Sequence, residues 1–132
     1  MSRENVEVVA RAFEALGRDD WAAITEMLDP KVEVHDFDIP DAGVYHGRDG
    51  FLSWLARWSE GWETWRVDNV EIRPVGDDQV IALFRMITKG AGSGLEMERL
   101  DAIVYVLKDN KMTRLEYFND QAQALEAVGL RE

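Results

Sequence analysis

The chain has 132 residues, enough for one domain and too few for two, so we expect a single domain over residues 1–132. Acidic residues outnumber basic ones by 26 to 15, and the resulting net charge of -11 would repel nucleic acids and anionic membranes. The chain has no cysteine, which excludes disulfides, thiolate nucleophiles and zinc–thiolate or iron–sulfur sites. The N-terminal residues lack the basic and apolar segments of a secretion signal, so a cytoplasmic protein is expected.

Two helices are predicted at the start of the chain. The first ends at Gly17, and its apolar positions at helical spacing are Val6, Val9, Phe13 and Leu16. The second is capped by Asp19 or Asp20, carries Trp21 on its apolar stripe and ends before Pro30. We therefore expect a helix hairpin with one apolar face.

A short strand, a long loop and a third helix follow. Val32 and Val34 alternate with polar residues and predict the strand, and residues 36–46, which include Pro40 and Gly43, form the longest predicted loop. The third helix is predicted over residues 48–62. Its apolar face consists of Phe51, Leu55, Trp58 and Trp62, with Trp54 on the flank.

The remainder of the chain has the two-residue period of strands. Turn signals at residues 76–78, 90–94 and 109–110 divide it into four strands, which we interpret as an antiparallel meander. The apolar parity changes between Val67 and Val70, which predicts a β-bulge near Asp68 and Asn69 that bends the sheet. A short helix over residues 121–128 ends at Gly129.

Two of these strands, residues 79–89 and 102–107, are apolar on both faces. An antiparallel sheet with one wet face shows a clean apolar–polar alternation, so both faces of this sheet need cover. The three earlier helices can cover only one face. We therefore predict that the outer sheet face forms a homodimer interface.

Four ionisable residues interrupt the apolar strands: Arg85, Arg99, Asp101 and Glu116. Asp is rare in strands, and its burial is costly unless the carboxyl is paired, protonated or hydrogen-bonded. One interpretation is a partly buried network in which Arg85 or Arg99 pairs with Asp101 or Glu116. The other is a polar cluster at the floor of an apolar pocket, as is typical of small-molecule sites.

Other candidate residues lie near the long loop. Asp36 stands at its start, between His35 and Phe37, and His46 lies downstream. Two imidazoles and one carboxylate can bind a metal, but strand alternation sends His35 and Asp36 to opposite faces. We therefore predict no metal site. The tryptophans between residues 54 and 65 are interpreted as core and pocket wall.

The order of these elements resembles that of the nuclear transport factor two-like superfamily. The similarity rests on Trp21 at the start of the second helix, the run Tyr-His-Gly-Arg at residues 45–48, and the final strand with its turn at residues 109–118. The chain looks most like the SnoaL-type branch, which includes polyketide cyclases, and is more distantly similar to ketosteroid isomerase. The resemblance implies an α+β fold with a curved antiparallel sheet wrapped over the N-terminal helices, a cystatin-like α+β barrel with a cone-shaped pocket. It also implies pairing of subunits through the outer sheet face.

The resemblance also implies roles for particular residues. The loop carboxylate that is the base of ketosteroid isomerase corresponds to Asp36, and the neutral acid on a central strand corresponds to Asp101. The tyrosine that this enzyme has on its first helix corresponds to Ala12. Limonene epoxide hydrolase is similar at Arg85 and Glu116, with Ile87 in place of its partner aspartate. SnoaL-type cyclases rely on one carboxylate in an apolar pocket.

The resulting prediction is a pocket protein, acting without a cofactor as an isomerase or cyclase by proton transfer on a small apolar carbonyl compound. Asp36 would be the base, Asp101 the acid or oxyanion partner and Arg85 an orienting cation, with Glu116 a further catalytic candidate. We expect the ligand to contact Trp21, His35, Trp54, Trp58, Phe84, Arg99 and Phe118. A dimeric protein that binds a ligand without catalysis, an interaction domain, and an epoxide-hydrolase-like enzyme are the alternatives.

Overall fold

The computed structural model describes residues 2–37 and 43–130, which form four helices and six strands. Residues 38–42 of the predicted loop, including Pro40, lie outside the described residues. The helices are α1 (Ser2–Gly17), α2 (Trp21–Met27), α3 (Gly47–Ser59) and α4 (Gln121–Ala127). The strands are β1 (Leu28–Asp36), β2 (Val44–His46), β3 (Trp62–Val75), β4 (Gln79–Gly90), β5 (Glu96–Lys108) and β6 (Lys111–Phe118).

All six strands of the described chain form one sheet in the order β2-β1-β6-β5-β4-β3. The last four strands are the antiparallel meander that the periodicity predicts. One pairing of the sheet is parallel, since β1 runs parallel to β6, with Val34 opposite Leu115 and Asp36 opposite Tyr117. This pairing joins the first strand of the chain to the last one, and no local sequence pattern predicts it. Strands β2 and β3 remain edges, so the sheet curves without closing.

Element boundaries differ from prediction around the first strand. Strand β1 begins at Leu28, before Pro30, because Leu28 is fully buried and pairs with Met112 of β6. A second strand, β2, pairs with β1 inside the predicted loop and places Tyr45 opposite Val34. Helix α3 ends at Ser59, so Trp62 begins β3 instead of ending the helix.

The predicted bulge in β3 is confirmed. The register of β3 against β4 shifts between Asp68 and Glu71, and Asn69 has a positive φ of 52°. The shift changes which residues of β3 point inward. As a result Val67, before the bulge, and Ile72, after it, both pack on the core under the helices.

The two faces of the sheet are covered differently. Helices α1, α2 and α3 pack on the inner face, over the main core. Helix α4 packs on the outer face, where Ala124 and Leu125 join a second cluster. The sheet residues of that cluster are Ile81, Leu83, Ala102, Val104 and Phe118. The outer face is thus partly covered by the chain itself, with Leu100 still 61% exposed, and a homodimer through this face stays a prediction.

Candidate functional site

A cavity of about 90 Å³ lies between the three inner helices and the concave sheet face. Its walls are apolar and largely aromatic, because the apolar stripes of α1, α2 and α3 all face the sheet. The helices contribute Ala12, Phe13, Leu16, Trp21, Ile24, Phe51, Trp54, Leu55 and Trp58. The strands contribute Leu28, Trp65, Val67, Phe84, Met86, Ile103, Tyr105, Met112, Leu115 and Tyr117. Trp21, Trp54, Trp58 and Phe84, four of the residues predicted to contact a ligand, thus line the cavity.

The aromatic rings hold one another in place. The Trp58 ring stands edge-on to the Trp65 ring, with ring centroids 5.3 Å apart and an interplanar angle of 89°. The centroids of the Trp58 and Tyr117 rings are 6.2 Å apart. Tilted and edge-on arrangements are the favourable ones for aromatic pairs. The rings of the cavity wall are therefore packed against one another.

A wider depression of about 720 Å³ shares walls with the cavity and opens to solvent between the α1–α2 turn, the end of α3 and the start of β3. Phe13, Trp21 and Trp65 belong to both spaces. Among the described residues, charged side chains line only the outer space, and they are Asp19, Glu63 and Arg66. The inner space is therefore apolar, and the charged side chains lie at its solvent-facing side.

Asp101 lies at the inner face of β5 and has no exposed surface. One of its carboxylate oxygens, Oδ2, accepts hydrogen bonds from the Tyr117 hydroxyl and, at 2.9 Å, from Arg99. Arg99 is two residues earlier on the same strand, so its side chain shares the face of Asp101. The carboxylate therefore stands behind Tyr117, with a cation beside it. Arg99 with Asp101 is one of the pairs that the network interpretation allows.

Asp36 ends β1 on the same inner face and is 6% exposed. Its Oδ2 accepts a hydrogen bond of 2.7 Å from Trp54 Nε1 of α3. The strand pairing places Asp36 opposite Tyr117, and the Trp54 and Tyr117 rings are 5.9 Å apart. The two predicted carboxylates, Asp36 and Asp101, thus flank the same tyrosine, each behind an aromatic side chain of the cavity wall.

Arg85 and Glu116 lie away from this group. Arg85 follows Phe84, whose ring lines the cavity, so its own side chain projects from the outer face. There it makes two hydrogen bonds to Asp68, of 2.7 and 2.8 Å. The hydrogen bond from Arg85 lowers the pKa of the Asp68 carboxyl below its ordinary value. Glu116 lies beside Val104 of the outer cluster and accepts a 2.7 Å bond from Arg114.

His35 and Phe118 are also on the outer face. His35 is hydrogen-bonded to Glu33 at 3.0 Å, and this bond lowers the pKa of the Glu33 carboxyl. Phe118 stacks on Phe37, with centroids 4.9 Å apart, and belongs to the cluster under α4. Neither residue lines the cavity. Arg99 does not line it either and is hydrogen-bonded to Asp101.

Two tyrosines of the cavity wall escaped the sequence analysis. Tyr105 and Tyr117 share a face with Asp101, on β5 and on the adjacent β6. The signal for Tyr105 was the two-residue spacing from Asp101 through Ile103, which places all three on one face. Tyr117 could be assigned to this face only from the register between β5 and β6. The turn at residues 109–110 predicts that register only approximately. Both tyrosines of the cavity wall thus belong to the sheet.

Within residues 2–37 and 43–130 no group of His, Asp or Glu is arranged to hold a metal ion. In the same residues no helix combines the length and the apolar character needed to cross a bilayer.

The family model of the SnoaL-like domain matches residues 9–115. The chain belongs to the SnoaL-like family. This SnoaL-like domain is 31% identical over 126 residues to an uncharacterized protein of Mycobacterium tuberculosis, a match that covers 89% of this chain and 91% of the relative.

Solved structures share the fold of this SnoaL-like domain at lower identity. TerC, co-crystallized with polyporic acid, is 19% identical with a TM-score of 0.77, over 95% of this chain and 98% of TerC. A candidate polyketide cyclase from Xanthomonas campestris is 16% identical with a TM-score of 0.76, over 97% and 98% of the two chains. An NTF2-like protein from Burkholderia pseudomallei is 18% identical with a TM-score of 0.78, over 98% and 99%. These similarities establish the α+β cone fold.

Proposed function

We propose that this SnoaL-like domain binds a small, flat, largely apolar carbonyl compound and isomerises or cyclises it by acid–base proton transfer without a cofactor. The single observation that carries the proposal is the hydrogen bond from Tyr117, a residue of the cavity wall, to the fully buried Asp101. A buried carboxylate tied to a cavity residue is the arrangement expected of a proton-transfer site. The candidate cyclase among the neighbours and the co-crystallization of TerC with polyporic acid support a small organic ligand.

Tyr117 and Asp101 would work as one relay. The Tyr117 oxygen takes a proton from the carbon next to the ligand carbonyl while its own proton passes to Asp101. The electrons of the broken C–H bond form the enolate, with the negative charge on the carbonyl oxygen. In an isomerisation the proton returns to a different carbon. In a cyclisation the enolate carbon attacks a second carbonyl of the same molecule, and the proton goes to the new alkoxide.

Arg99 and Asp36 would support the relay from two sides. Arg99 balances the charge of Asp101 between turnovers. Asp36, held by Trp54 next to Tyr117, is the second carboxylate close enough to exchange a proton with the ligand after a small movement of Trp54. General acid–base transfer of this kind contributes about 10²- to 10⁴-fold to a rate.

A second candidate function is ligand binding without catalysis. Among the described residues that line the cavity, none is Asp or Glu. Both carboxylates near the cavity stand behind an aromatic side chain, and this observation favours a binding protein. The epoxide-hydrolase alternative has no such support, since Arg85 and Glu116 project from the face opposite the cavity.

Deuterium exchange separates the two functions. The probe is 2-tetralone, a flat bicyclic ketone with an acidic C–H next to its carbonyl, incubated in D₂O and followed by proton NMR. A catalyst accelerates the exchange, and Tyr117→Phe and Asp101→Asn each lower the protein-dependent rate by about 10²-fold or more. The matched control is Tyr45→Phe, which removes the hydroxyl of the tyrosine on β2, outside the cavity wall, and leaves the rate unchanged.

The two functions predict different results in this experiment. Binding of 2-tetralone with exchange at the buffer rate supports the non-catalytic candidate and contradicts catalysis. Exchange that is accelerated equally by the wild type and by both relay variants contradicts the assignment of Tyr117 and Asp101. Folding of every variant is checked by circular dichroism before the rates are compared.

A further inference from the structure

Aromatic rings border the junction between the cavity and the outer depression. Trp21 and Trp65 line both spaces, and Trp58, which lines the cavity, contacts Trp65. The Trp21 and Trp65 rings are tilted by 52°, with centroids 6.3 Å apart. The Trp58 and Trp65 rings stand at 89° to each other. Three indoles that are tilted or perpendicular to one another thus meet at this junction, and we name Trp21, Trp58 and Trp65 the indole corner.

The indole corner has the properties of a site for a cation. The face of an aromatic ring carries negative potential, and among the side chains the indole of tryptophan attracts cations most strongly. Faces that are tilted against each other allow one cation to contact more than one ring, as in the aromatic cages that bind quaternary ammonium groups. Trp21 and Trp65 are only partly buried and line a space that opens to solvent, so a ligand can reach them.

Two carboxylates line the solvent side of this junction. Asp19, in the turn between α1 and α2, lines the depression and has no ion-pair partner among the described residues. Glu63, two residues before Trp65 on β3, also lines it and lies 3.5 Å from Lys89. The charge of Glu63 is therefore balanced, and the charge of Asp19 is not.

Arg66 also lines the depression, but its charge is balanced by its neighbours. It lies 3.2 Å from Asp68, which is bound by Arg85 as well. Arg85 in turn lies 3.8 Å from Glu98, so these two arginines and two carboxylates carry no net charge together. The charge of Asp19 thus remains at the mouth of the cavity. The net charge of -11 adds to the attraction of cations.

We propose that the indole corner binds an alkylated ammonium group of the ligand, with the Asp19 carboxylate as the counter-charge at the mouth. This role rests on the proposed function for the existence of a bound ligand and narrows its class. The flat apolar carbonyl compound carries the ammonium group at the end that faces solvent. A carboxylate or a phosphate at that end is excluded, because the ring faces and Asp19 repel it.

The test compares phenyltrimethylammonium with tert-butylbenzene, which have the same shape and differ by one positive charge. Binding is followed by the fluorescence of the tryptophans that line the cavity. The wild type binds the cation more tightly by about tenfold or more, as expected of cation–π contacts in a site shielded from water. A wild type that binds the hydrocarbon as tightly as the cation, or that binds neither, overturns the proposal.

A variant of Trp65 separates recognition of the charge from packing. Trp65→Leu keeps an apolar side chain and removes one ring face, so the preference for the cation over the hydrocarbon falls by about fivefold. The matched control is Trp62→Leu, because Trp62 packs on Trp58 but lines neither space. Its preference stays at the wild-type value. Equal losses for both ligands in Trp65→Leu overturn the proposal.

Folding of these variants is checked by circular dichroism. Where Trp65→Leu does not fold, Trp65→Phe replaces it in the comparison. This variant retains a ring with a weaker attraction for cations, and it lowers the preference for phenyltrimethylammonium in the same direction. An unchanged preference in Trp65→Phe then contradicts the proposal.

A variant of Asp19 tests the counter-charge. Asp19→Asn lowers the affinity for phenyltrimethylammonium by about threefold at low salt and leaves the affinity for tert-butylbenzene unchanged. The loss shrinks as salt is added, because exposed charges are screened. Asp109→Asn is the matched control, since Asp109 has a similar φ, 51° against 55°, and lines neither space. An equal loss in Asp109→Asn overturns the role of Asp19.

The proposed function and the indole corner are tested by independent measurements. The preference for the cation is measured without a reaction, and the exchange of 2-tetralone is measured without a cation. A preference that depends on Trp65 supports the indole corner even where 2-tetralone exchanges at the buffer rate. Accelerated exchange in a protein without this preference overturns the indole corner and leaves the catalytic proposal intact.

Discussion

The hydroxyl of Tyr117 donates a hydrogen bond to Asp101, a carboxylate with no exposed surface. Asp101 is also paired with Arg99, whose guanidinium lies 2.9 Å from the same oxygen. This arrangement connects a fully buried charge with the wall of an aromatic cavity. It also offsets the desolvation of the carboxylate, which would otherwise destabilise the fold.

Removal of either partner of this hydrogen bond is expected to destabilise the protein. Tyr117→Phe costs about 1.5–3 kcal/mol, the range for hydrogen bonds to charged groups. Asp101→Asn is destabilising as well, because it removes the ionic contact with Arg99. Urea unfolding of both single variants and of the double variant measures the coupling between the two residues.

The double-mutant cycle can also contradict the hydrogen bond between Tyr117 and Asp101. A coupling free energy below about 0.5 kcal/mol means that the two side chains act independently, which contradicts the hydrogen bond described above. Tyr45→Phe serves as the reference variant for loss of a tyrosine hydroxyl, because the Tyr45 hydroxyl is only a distant acceptor, 3.3 Å from exposed Arg57.

Filling the cavity is expected to abolish ligand binding without unfolding the protein. Ala12 of α1 lines the cavity, so the larger side chain in Ala12→Leu enters empty space. The stability changes by no more than about 1 kcal/mol, because new contacts offset the strain of a larger residue. The affinity for 2-tetralone, measured by fluorescence titration, falls by at least about tenfold, a loss of about 1.4 kcal/mol.

The control for the cavity variant is Ala122→Leu, which makes the same change on the exposed side of α4. It should leave both the affinity and the unfolding midpoint near the wild-type values. Unchanged affinity in Ala12→Leu would show that ligands bind outside the cavity between the helices and the sheet.

The contact between Asp68 and Arg85 predicts a pH dependence of stability. The hydrogen bond from Arg85 lowers the pKa of Asp68 in the folded protein. A carboxyl with a lowered folded pKa stabilises the protein above its unfolded pKa, about 3.9, and this contribution is lost as the pH falls through the folded pKa. The difference in urea midpoint between the wild type and Asp68→Asn should therefore be constant from pH 7 to about pH 5 and shrink below about pH 4.

The background variant Arg85→Gln tests the cause of this dependence. In Arg85→Gln the effect of Asp68→Asn should be much smaller at pH 7, with a remainder from Arg66, which lies 3.2 Å from the same carboxylate. An effect of Asp68→Asn that is as large at pH 3 as at pH 7 would be inconsistent with an ionic contribution.

Much of the fold followed from local patterns. The helical spacing of apolar residues predicted α1, α2 and α3, the change to a two-residue period predicted the four-strand meander, and the parity change in β3 predicted its bulge. The placement of Asp101 in a fully buried setting also followed, because the apolar residues around it left no solvated position. These features depend on neighbours in the chain, so periodicity alone could determine them.

The composition of the site needed the tertiary structure. Adjacent strand residues point to opposite faces, so Phe84 and Arg85 could not both face one cavity, and the ladder register decides that Phe84 does. The parallel pairing of β1 with β6 brings Asp36 beside Tyr117, although 80 residues of chain separate them. The outer apolar face is covered in part by α4, which packs on β4, β5 and β6, and no local sequence pattern predicts this contact. Sequence periodicity assigned each residue to an element, whereas the register between distant strands decided which side chains meet, because that register is set by packing across the whole sheet.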